Sequence, residues 1–64
     1  MYVLGEEPRT SSEAFDALEN VFGSEEFTIA DATTVLETAL ELESDEARNE
    51  FNRLLRNGAI EEAE

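Results

Sequence analysis

Sixty-four residues carrying 17 carboxylates and four cationic side chains give a formal net charge of −13. Cysteine and histidine are both absent, which excludes disulfide bracing, thiolate metal sites and the commonest general base. With 41% apolar residues, the chain is expected to form one small domain over 1–64, burying about 60% of the surface its unfolded form exposes.

Met1-Tyr-Val-Leu4 is a short strand-prone run closed by Gly5. The segment 6–9, with Pro8, reads as a loop. Thr10-Ser-Ser-Glu13 has the form of a capping box. Phe15, Leu18, Val21 and Phe22 then recur at helical spacing, backed by Ala14 and Ala17, up to Gly23. A first helix over 11–22 is expected.

The next connection, 24–28, ends in Phe27-Thr28, which suits a very short extended piece. Thr28 is placed to cap a second helix, with Asp31 three residues on. Ile29, Ala32, Val35, Leu36, Ala39 and Leu40 form its inward stripe. Thr33, Thr34, Glu37, Thr38 and Glu41 are expected to face water. No Gly or Pro marks its end within 41–44.

Ser44 is the expected cap of a third helix, with Asp45 and Glu46 in the first turn, where negative charge suits the helix dipole. Ala47, Phe51, Leu54 and Leu55 share one arc. Arg48, Asn49, Asn52, Arg53 and Arg56 are expected on the opposite arc, with no acid among them and Glu46 and Glu50 on one flank. Asn57-Gly58 stops this helix. The remainder, 59–64, is either a terminal strand, with 1–4 as its candidate partner, or a frayed tail. The expected core is Phe15, Leu18, Phe22, Leu36, Leu40, Phe51, Leu54 and Leu55. The fold class that follows is mainly α, three helices with a small terminal β-sheet.

The charge has a further character. All four cations are Arg, and Glu supplies most of the acids. This matches proteins of cells that keep molar salt inside, where a Debye length of roughly 3 Å leaves neighbouring carboxylates little repulsion. An acidic domain that binds a basic partner is the other reading. No apolar run approaches the ~20 residues of a membrane span. The first five residues are too short, and lack the basic residues, for a signal peptide. A soluble cytoplasmic protein is expected, and its anionic surface would be repelled by anionic lipid.

Enzyme chemistry has little to stand on. Without His, Cys or Lys, most general bases and covalent nucleophiles are missing. The serines at 11, 12, 24 and 44 occupy cap-like or loop positions. There is no calcium loop and no Gly-rich phosphate cradle, so no cofactor, metal or small-molecule substrate is expected.

The stretch from the first helix onward resembles a winged helix-turn-helix domain. The likeness rests on Phe27-Thr-Ile-Ala-Asp31, on Ser44-Asp-Glu-Ala47 and on Leu54-Leu-Arg-Asn-Gly-Ala-Ile-Glu61. It implies a short strand leading into helix two, a recognition helix at 45–57 and a wing beginning at Ile60. By that likeness Arg48, Asn49, Asn52, Arg53 and Arg56 take the groove-facing positions. The sequence departs from the pattern in three places, the first being that no second wing strand is expected after 59–64. The turn before helix three lacks the usual Gly, and the wing position carries Glu61 and Glu62, where a DNA-contacting wing is usually basic.

Two functions follow from this third helix. One is a non-enzymatic interaction module that meets a protein partner, or another copy of itself, through the Arg/Asn face. The alternative is a DNA-binding regulator, with Arg matched to phosphate or guanine and Asn to adenine.

Overall fold

The computed structural model describes residues 1–7 and 12–63. The loop expected around Pro8 and the cap-box start at Thr10-Ser11 lie outside the described residues. Ser12 opens helix α1 (Glu13–Phe22), its Oγ accepting a hydrogen bond from the Phe15 backbone N–H at 3.2 Å. α1 therefore begins two residues later than the Ser11 start expected from the sequence. It stops at Gly23, whose φ of 58° suits a residue with no Cβ.

Helix α2 (Ile29–Ala39) starts as expected. Thr28 Oγ1 accepts from the Asp31 N–H at 3.1 Å. Its end has no glycine to announce it. Glu41 instead takes the left-handed conformation, φ 52°, and the Leu42 N–H reaches back to the Glu37 carbonyl at 3.2 Å. That is the long-range bond of a Schellman termination, and it turns Leu42 onto the core.

Helix α3 (Ser44–Arg56) begins with Glu43, not Ser44, in the cap position. The Glu43 N–H donates to Glu46 Oε1 at 3.3 Å, one arm of a capping box. Ser44 is already helical, because Glu43 is the extended residue (φ −79°, ψ 165°) and the chain winds directly after it. At the far end Gly58 has φ 85°. Its N–H bonds the Leu55 carbonyl at 3.3 Å, and the Ala59 N–H bonds the Leu54 carbonyl at 2.9 Å, a complete Schellman pair.

The two chain ends meet. Strand β1 (Tyr2–Leu4) pairs antiparallel with β2 (Ile60–Glu62), Val3 opposite Glu61. The ladder extends by one bond on each side, Gly5 N–H to the Ala59 carbonyl and Ala63 N–H to the Met1 carbonyl. The other edge of β1 is used once. Tyr2 and Phe27 exchange both backbone hydrogen bonds at 2.8 Å, so the short extended piece before α2 docks onto the sheet. Gly5 has to be glycine. A Cβ there would stand 2.6 Å from the Gly58 carbonyl oxygen, where β1 leaves the sheet against the α3 turn.

The helices and sheet enclose one core. Phe15, Leu18, Leu36, Phe51 and Leu54 are buried as expected. Phe22, Leu40 and Leu55 are half-buried and pack against its edge. Phe27, outside the expected core, is fully buried and stacks on Phe22 at 4.6 Å between ring centroids. Tyr2 meets Phe51 edge-to-face at 5.1 Å, the geometry favoured by the ring quadrupoles. Two residues expected on apolar stripes, Val21 and Ile29, are instead exposed. Val21 lies in the last turn of α1, and Ile29 is the first residue of α2, where the stripe runs past its neighbours. Ala39, on the same expected stripe, is exposed for the same reason at the other end of α2.

Candidate functional site

α3 packs its apolar arc against α2, α1 and β2, burying Ala47, Phe51 and Leu54. The opposite arc is left to solvent. Arg48, Asn49, Asn52, Arg53 and Arg56 are all exposed, on the face the periodicity assigns them.

Within that face the five side chains are not equivalent. At about 100° per residue, Asn49, Asn52 and Arg56 lie within about 60° of one another, directly opposite the buried arc. Arg48 stands to one side, toward half-buried Leu55. Arg53 stands to the other, toward Glu46 and Glu50. It is held there by the one ion pair among the described residues, Arg53 Nη1 to Glu50 Oε1 at 3.6 Å. The Arg53 side chain remains 71% exposed, so this pair orients the guanidinium more than it stabilises the fold.

One expectation needs correction. The same geometry puts Asp45 on the central line, one turn before Asn49, and it is exposed. An acid therefore does lie on the face. Asp45 is a first-turn residue favoured by the helix dipole, and the spacing that selects Asn49 and Arg56 selects it too. The face runs from acid at its N-terminal end, through two amides, to cation at its C-terminal end. An open acidic depression lined by Glu37, Leu42, Glu43, Ser44 and Asp45 adjoins the acidic end. Arg53 and Arg56 occupy the last turn, where the helix dipole favours positive charge.

Around this helix the exposed chemistry is anionic. Glu61 and Glu62 of β2 both face solvent. Among the described residues no group of three or more acids is arranged to hold a metal ion, and no helix is long and apolar enough to cross a membrane. Comparison with protein-family models, curated proteins and solved structures returns no match.

Proposed function

We propose that this chain is a small non-enzymatic interaction module of a salt-adapted cell, working in the cytoplasm and meeting a protein partner through the outward face of α3. One observation carries the reading. On a body of net charge −13, three of the four cations are gathered with two exposed asparagines on a single helix face. Arg is the cation best suited to such contacts, since its planar fork binds carboxylates bidentately and is only weakly hydrated.

A second reading, a DNA-binding regulator of winged-helix type with α3 in the major groove, draws support from the order of elements. A short extended piece leads into α2, and a four-residue connection leads into α3. Weighing against it are Asp45 on the central line and the acidic β2. Specific DNA binding calls for neutralising several phosphates, and an exposed carboxylate in the groove would oppose that.

Affinity capture in molar KCl separates the two. Immobilised wild type is expected to retain a protein from cell extract that the Arg48→Glu/Arg53→Glu/Arg56→Glu variant does not retain, with or without nuclease treatment. Equal capture by both would reject α3 as the contact surface. Capture abolished by nuclease would favour the DNA reading.

A further inference from the structure

We propose that the partner of the α3 face is a second copy of this chain, docked helix against helix in antiparallel fashion about a two-fold axis. This rests on the reading of α3 as a contact surface and adds what it contacts.

The charge order along the face carries the inference. Asp45, Asn49, Asn52 and Arg56 form a line that is its own complement when reversed. With the axis passing between Glu50 and Phe51, Asp45 comes to lie opposite the partner's Arg56, and Asn49 opposite the partner's Asn52. Each contact then occurs twice, as an isologous interface requires. An amide side chain both donates and accepts, so the two asparagines satisfy each other across the axis.

The Arg53 flank agrees with the line. A two-fold of this kind brings like flank to like flank. Arg53 therefore lies over the partner's Glu46 and Glu50, the flank where it already pairs with its own Glu50 at 3.6 Å. The antiparallel arrangement also sets the positive end of each helix dipole beside the negative end of the other. A parallel arrangement would place acid on acid and cation on cation.

Charge also sets the conditions. Two bodies of −13 repel strongly in dilute salt, but at molar ionic strength a Debye length of roughly 3 Å removes the long-range repulsion and spares contact pairs. The interface is polar and exposed pairs are individually weak. A dissociation constant on the order of 0.1 mM is expected.

Sedimentation equilibrium in molar KCl, over chain concentrations on the order of 0.01–1 mM, tests this. Wild type is expected to dimerise. Asp45→Arg and Arg56→Asp should each weaken the dimer about tenfold or more, and the double variant should recover it by inverting the polarity of the pair. Net charge alone predicts otherwise, because Asp45→Arg makes the chain less acidic and Arg56→Asp makes it more so. Circular dichroism checks that each variant stays helical. Should a reversal unfold the chain, Asp45→Asn and Arg56→Gln replace it and should weaken the dimer in the same direction.

A wild type that is monomeric throughout overturns the proposal. So do single variants that follow net charge, or a double variant that fails to recover. A monomer that still captures an extract protein through the three arginines overturns self-association and leaves the protein-partner reading standing. A monomer that captures nothing overturns both.

Discussion

Phe51→Ala is expected either to abolish cooperative folding or to lower its midpoint steeply. Phe51 is 1% exposed at the centre of the core and supports Tyr2 edge-to-face at 5.1 Å. Through that contact it fastens β1 to the inner face of α3. Removing the ring costs about 3–5 kcal/mol in transfer and cavity terms. The whole stability of a chain this size is about 3–10 kcal/mol. A thermal melt in molar KCl should show either no sigmoidal transition or a midpoint lowered by about 15–30 °C. A loss of only a few degrees would mean that Phe51 is not the keystone of this core.

The second large effect is expected from salt alone. The described fold measures 26 × 24 × 20 Å and carries a single ion pair among the described residues, so its carboxylates are not neutralised locally. At about 10 mM salt the Debye length is about 30 Å, longer than the molecule, and every acid repels every other. At about 1 M it is about 3 Å, shorter than most spacings between surface charges. Helix content should therefore rise from partly unfolded in dilute buffer to a cooperative fold near molar KCl. Sodium chloride should serve equally if screening is the cause. Full helix with two-state melting at about 10 mM salt would contradict salt adaptation of the fold.

Elements whose markers are local were legible in the sequence. Thr28 caps α2 because a hydroxyl three residues before a free N–H is a short-range geometric fact. Gly23 and Gly58 end α1 and α3 because both adopt positive φ. The end of α2 was not legible, because Glu41 takes a left-handed conformation that glutamate seldom adopts. Closing the Leu42–Glu37 hydrogen bond, with Leu42 packed inward, holds it there. Phe27 escaped notice for a different reason. Its burial depends on pairing with Tyr2, far away along the chain, and no periodicity within 24–28 reports that. The pairing of Tyr2–Leu4 with Ile60–Glu62 is the same kind of long-range fact, open in the sequence and decided by backbone groups far apart along the chain.

The arginines and asparagines of the candidate surface were legible in the sequence, but its acid, and so its charge order, was not. An amphipathic helix with Phe51 and Leu54 on one arc leaves Arg48, Asn49, Asn52, Arg53 and Arg56 on the other. Asp45 has a local role at the helix start that masks its place on the same line. Once it is included, the face changes from a basic stripe into a polarised one, which alters the kind of partner it fits.

The most direct test of α3 as the contact surface is a series of amide proton–nitrogen NMR spectra in molar KCl, recorded as the chain is concentrated. Shift changes are expected at Asp45, Asn49, Asn52, Arg53 and Arg56, with the buried arc and α1 unmoved. Changes gathered instead around exposed Val21 and Ile29, or along β2, with the outer face of α3 silent, would contradict the account.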